Sequence, residues 1–160
     1  MRVLACLVVL LATPTGAEEV SRHRDWALDC RATGVGRTSC VLAQRLVSPQ
    51  DGTEIAQIVL RAREDGTALV LRVPTGVDLT RRPAFEVDGG GAHALTWTAC
   101  DPNHCLAAVA LDAEQSQALR DGIVATFGYQ PLGAEAPLLF DVSLLGISAG
   151  WEALTEQAGN

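Results

Sequence analysis

The chain has 160 residues, with 12 basic side chains against 19 acidic ones, a net charge of −7 and five cysteines. That is one domain's worth of chain, and an apolar fraction of 48% with 19% charged residues excludes a disordered, self-repelling polymer. The acidic balance also argues against a nucleic-acid binder, which needs a basic stripe to meet phosphates.

Met1 and Arg2 give a short positive start, and Val3 to Ala12 form a ten-residue apolar run. Thr13-Pro14-Thr15-Gly16-Ala17 then breaks the helix and places small residues ahead of Glu18, so residues 1–17 are read as a secretory signal peptide cut after Ala17. Ten apolar residues are too few to span a bilayer, which takes about 20 in helical form. Val3-Leu4-Ala5-Cys6 has the look of a lipidation box, but almost no apolar segment precedes Cys6, and the signal-peptide reading is preferred. No later stretch is apolar enough to cross a membrane. The mature chain is then residues 18–160, a single β-sandwich domain with a net charge of −8 and four cysteines. Its expected location is the periplasm, either free, attached to the outer membrane or secreted.

From there apolar residues recur at period two in short runs. Trp26, Leu28 and Cys30 share a face, as do Cys40 and Leu42. Between Cys30 and Cys40 lies the flexible stretch Thr33-Gly34-Val35-Gly36-Arg37. Ala56, Ile58, Leu60 and Ala62 alternate with Gln57, Arg61 and Arg63, and Leu69, Leu71 and Val73 run to Pro74-Thr75-Gly76. Phe85 and Val87 alternate with Glu86 and Asp88, then Leu95, Trp97 and Ala99 with Thr96 and Thr98. Further runs cover 106–111, 123–129 and 138–142. Short alternating runs at this spacing predict a mainly β fold, an antiparallel sandwich or barrel.

Two segments read as helix. Asp112 with Gln115 makes an N-cap and its partner, and Gly122 suits the far end of a short helix over 113–121. Beyond Ser143, the residues Leu144, Ile147, Trp151, Leu154 and Ala158 recur at three and four, one face of a terminal amphipathic helix that must pack on the sheets.

Export puts Cys30, Cys40, Cys100 and Cys105 where disulfides persist. Four cysteines allow three connectivities. Turn chemistry in Asp101-Pro102-Asn103 and the loop after Cys30 favour the local pairs Cys30–Cys40 and Cys100–Cys105. A redox pair would prefer Cys-x-x-Cys, and zinc would prefer closely spaced pairs; neither pattern is present.

The chemistry is sparse. His23, His93 and His104 are scattered and read as solvated loop residues. No nucleophile elbow or His-Glu-x-x-His occurs, and Gly89-Gly90-Gly91 leads into strand residues, with no helix to hold a phosphate. Asp78, Glu86 and Asp88 lack calcium-loop spacing and read as a solvated strand face. Trp26, Trp97 and Trp151 all have inward parity and read as core. No residue is nominated as catalytic, cofactor-binding or metal-ligating.

The order of features is similar to a known family. Asp25-Trp26 with Cys30, Cys40 leading a strand, Pro74-x-Gly76-Val77-x-Leu79, Val87-Asp88-Gly89, the Cys100/Cys105 pair and Ser143-Leu144-x-Gly146 before a terminal helix together resemble the invasion-associated locus B family. The resemblance runs from about Asp25 to Leu154. This chain departs from the pattern at His104, where a glycine is usual, and at Ile147, where an aromatic is common. The resemblance implies an exported, envelope-associated protein with an immunoglobulin-like sandwich, and no established reaction or binding residues. Kinship of fold does not supply function.

The expectation is therefore a non-enzymatic interaction module with an unknown envelope or extracellular protein partner, meeting it by an exposed apolar patch or open strand edge. The alternative is a periplasmic small-ligand-binding protein, which predicts an apolar pocket of at least a few hundred Å³ between the sheets or under the terminal helix. An enzyme would need convergent polar groups in one cleft, such as His104 bonded to a carboxylate beside a pocket.

Overall fold

A computed structural model describes residues 19–158; the predicted signal peptide, residues 1–17 with Cys6, lies outside the described residues. The described chain forms β1 (Glu19–His23), β2 (Trp26–Gly34), β3 (Arg37–Val47), β4 (Glu54–Arg63), β5 (Gly66–Pro74), β6 (Ala84–Val87), β7 (His93–Ala94), β8 (Thr96–Cys100), β9 (His104–Leu111), α1 (Ala113–Asp121), β10 (Val124–Tyr129), β11 (Leu138–Ser143) and α2 (Ile147–Ala158). A seven-stranded sheet has the order β1-β2-β3-β4-β5-β9-β8, and a four-stranded sheet the order β11-β10-β6-β7. The named strands pair antiparallel throughout, so the fold is a mainly β antiparallel sandwich with two helices.

The period-two pattern fixes which residues meet in the middle. The large sheet contributes Trp26, Leu28, Leu42, Ile58, Leu60, Leu69, Leu71 and Ala107, and the small sheet contributes Phe85, Ala125, Phe127 and Val142. Phe127 stacks between Phe85 and Phe140, with ring centroids 5.4 and 6.0 Å away. Each fully buried large side chain is worth about 1.5–3 kcal/mol in transfer from water.

Helix α2 supplies Ile147, Trp151 and Leu154 to the same core and packs across β1 to β4. Its approach is close: a Cβ on Gly150 would stand 2.5 Å from Leu42 Cδ1. The chain turns into α2 through Gly146, at φ +93°, where any side chain would also collide with the carbonyl of His23. Two side chains pin this turn from the large sheet. Trp26 Nε1 donates to the Ser143 carbonyl at 2.9 Å, and the buried Gln44 amide donates to the carbonyls of Asp25 and Ser143, both at 3.1 Å. Helix α1 begins at a capping box, Asp112 and Gln115 each accepting from the other's backbone N–H.

Disulfides join Cys30 to Cys40, with Cα atoms 4.1 Å apart, and Cys100 to Cys105, at 4.0 Å. Each pair sits directly opposite across its hairpin. The first bridge lies at the margin of the core, half-buried, because β2 and β3 beyond it project into solvent. Two sequence expectations change. A register shift between Trp97 and Ala99 turns Ala99 onto the outward side, opposite Leu106, and leaves Trp97 half-buried on an edge strand. The terminal helix starts at Ile147, since Gly146 takes a conformation that no α-helix continues through.

Candidate interaction surface

The three histidines are not solvated loop residues as the sequence suggested; all lie on strands, half-buried and partnered. His23 sits 3.3 Å from Ser21 Oγ, and His93 packs on Phe85 at 5.2 Å and meets Gln115 Nε2 at 3.2 Å. His104 opens β9, where Arg72 Nη2 donates to its Nδ1 at 2.9 Å. That leaves the proton on Nε2, which faces Glu54 Oε1 at 3.4 Å. An imidazole whose lone pair is held by a guanidinium is poorly placed as a general base.

Three cavities bear on ligand binding. The largest, about 680 Å³, is an open groove between the β4–β5 hairpin and the two helices, where Glu64, Asp112 and Ser116 share the wall with Trp151. Arg120 covers part of it, 4.6 Å above the Trp151 ring. A second, about 290 Å³, runs beside α2 past His23, Cys30, Ala153 and Gln157. The third is apolar but only about 180 Å³, at Phe85, Ala92, Gly128 and Leu139 on the outward side of the small sheet. None of these has His104 or Glu54 in its wall. Among the described residues, no three His, Cys, Asp or Glu side chains gather as metal ligands would. No helix of the described chain is long and apolar enough to cross a membrane.

Of the three acidic residues weighed for calcium and read as a solvated strand face, Glu86 lies on β6, whereas Asp78 and Asp88 build turns instead. The Asp88 carboxylate accepts the backbone N–H groups of Ile123 and Val124, each at 3.0 Å, and its backbone stands at φ +50°. Asp78 accepts from Thr80, whose hydroxyl and backbone N–H hold its carboxyl below the usual range. The backbone N–H groups of Asn103 and His104 do the same for Asp101.

The most distinctive surface is the outward side of the seven-stranded sheet. Pairing aligns Ala27, Ala43, Val59, Val70 and Ala108 in one row across five strands. The same parity turns Arg22, Arg31, Arg45, Arg61 and Arg72 outward with Asp29, and Glu54, beyond the register shift at Val47, reaches the same side to meet Arg45 and Arg72. Five arginines against two carboxylates make this face net +3 on an acidic protein, and Arg63, of the same parity as Arg61, is balanced by Asp65 at 3.1 Å. Arg31 meets Asp29 at 2.8 Å; Glu54 takes Arg45 at 2.6 Å and Arg72 at 3.4 Å. Arg22 and Arg61 have no hydrogen bond or ion pair among the described residues. Both helices lie on the core side, yet Val59 is only 7% exposed, because the small side chains of the row sit low among longer neighbours. Between Asp29, Arg31, Val41 and Arg61 the face dips into a hollow of about 290 Å³. The sequence pattern hid this surface: Arg45, Glu54 and Arg72 fall in separate strands, and only register brings them together.

Two disulfide-bridged hairpins in an antiparallel sandwich closed by a terminal helix define the class of protein. A family model described as "Invasion associated locus B (IalB) protein" matches residues 26–155, and the chain belongs to that family. An invasion protein B homologue of Brucella abortus (strain 2308) is 31% identical over 146 residues, covering 88% of this chain and 82% of the relative; a homologue from B. abortus biovar 1 (strain 9-941) matches equally. The crystal structure of invasion-associated protein B from Bartonella henselae superposes with a TM-score of 0.77 at 21% identity, covering 88% of this chain and 97% of that one. Three residues that carried the resemblance, Trp26, Ser143 and Gly146, meet at the turn into α2.

Proposed function

We propose that the protein is an exported, disulfide-stabilised, non-enzymatic interaction module of the cell envelope, cleaved after Ala17 and acting from the periplasm as one domain over residues 18–160. The observation that carries this reading is the outward side of the seven-stranded sheet, where a low row of alanines and valines is framed by arginines. A low apolar centre inside a polar rim is the anatomy of a protein interface. Relatives named as invasion proteins and two disulfides support a surface or envelope setting.

Native, non-reduced mass spectrometry on protein recovered from its own cell envelope tests this. The expected species begins at Glu18, is four hydrogens lighter than the reduced chain, and travels in a complex. Ala43→Tyr with Ala108→Tyr, which adds bulk to the central row without changing charge, should release the complex and leave the melting temperature nearly unchanged. An uncleaved chain, free thiols, or a complex indifferent to both tyrosines would overturn it.

A further inference from the structure

We propose that the occupant of the seven-stranded sheet's outward face is another protein, one that presents carboxylates around an apolar centre. The inference rests on the docking reading above and names the partner's chemistry.

Three observations select this occupant. The first is charge. The face is net +3 while the chain as a whole is acidic, and Arg22 and Arg61 stand free of partners among the described residues. A guanidinium aimed at solvent matches a carboxylate with two parallel hydrogen bonds. The second is relief. The apolar row is made of alanine and valine set below the arginine stems, so it can receive a protruding side chain and cannot insert into a bilayer. Three net charges without an inserting residue give only weak, reversible attraction to an anionic membrane.

The third is area. Seven strands at about 4.8 Å spacing and about eight residues long span roughly 34 by 27 Å, enough for the roughly 800 Å² that each partner contributes to a standard interface. A second copy of this chain is a poorer fit. Its own acidic surface, the outward side of the small sheet with Glu86 and Asp141, spans four shorter strands and about a third of that area. Two seven-stranded faces set against each other would bring arginine to arginine.

The test is photo-cross-linking in the protein's own cells, with the reactive residue placed in turn at Ala43, Ala108, Thr126 and Leu139. The first two positions should give one discrete protein adduct, and the last two, on the small sheet, should give none. The peptide cross-linked from the partner should contain Asp or Glu. Arg22→Glu with Arg61→Glu should cut the adduct about tenfold without lowering the melting temperature, and a Glu→Arg or Asp→Arg change at the cross-linked partner site should restore it. An adduct with lipid, with a second copy, or with a protein indifferent to the arginine reversals overturns the partner chemistry and leaves docking by this face standing. Absence of any adduct from Ala43 and Ala108 overturns both.

Discussion

On the outward side of the seven-stranded sheet, five arginines frame a row of alanines and valines. On the outward side of the four-stranded sheet, Glu86 and Asp141 flank a 62% exposed Leu139, and β6, β7, β10 and β11 hold no arginine at all. Both faces arise from the same alternation, so inward parity is satisfied equally on each. The outward positions are free of that constraint, and their chemistry differs: arginine-framed with a low apolar row on the large sheet, acidic with a raised leucine on the small one. Leu139 lies across Gly128, where an added Cβ would come within 2.6 Å of it. The contrast separates what the fold demands of a strand from what the fold leaves free to vary.

The largest expected effect comes from breaking the core that holds the two faces apart. Phe127→Ala removes the ring stacked between Phe85 and Phe140 and should cost about 3–5 kcal/mol, read by denaturant unfolding. A loss below 1 kcal/mol would mean that the small sheet does not depend on this stack. Both sides should destabilise together, because the two sheets share one hydrophobic cluster.

A smaller change acts on the large sheet alone. Cys30→Ala with Cys40→Ala opens a ten-residue closure in the β2–β3 hairpin and should cost about 2–3 kcal/mol. Hydrogen exchange should rise first in β1 to β3, at the edge that carries Arg22 and Arg31, and stay low in β10 and β11. Melting identical to the parent would refute a stabilising role for this bridge.

The smallest effect is a matter of pH. The backbone N–H groups of Asn103 and His104 hold the Asp101 carboxyl below its ordinary value, so its folded pKa lies under the unfolded one. The stabilisation is complete above the unfolded value, about 3.9, and is lost as pH falls through the folded value. Asp101→Asn should therefore narrow its deficit in stability between pH 5 and pH 2, as measured by thermal melts across that range. A deficit that stays constant through the acid range would show that the carboxylate's charge is not what the turn uses.

Much of the fold was legible along the chain. Trp26, Leu42, Ile58, Leu71, Phe85 and Phe127 keep the inward parity that their alternation implies, and α1 lies at 113–121 between Asp112 and Gly122. The errors fall where local rules give way to neighbours. Ala99 leaves its parity at a bulge, and the histidines acquire partners from distant strands. Of the candidate surface almost nothing was legible, since Glu54, Arg72 and His104 are far apart in sequence and are joined only by the pairing of β4, β5 and β9.

What the sequence determined by itself is what short-range chemistry decides: strand alternation, the capped helix and the turn that Asp101 opens. Each depends on residues within a few positions of one another, where backbone geometry and period leave few choices. Tertiary structure alone decided the register that lines five small residues into one row, the crossing of β9 to lie between β5 and β8, and the gathering of arginines on one side. A period-two strand says which side chains share a face, but which strands stand side by side is settled by the packing of the whole core, and the arginine-framed face is a product of that second choice.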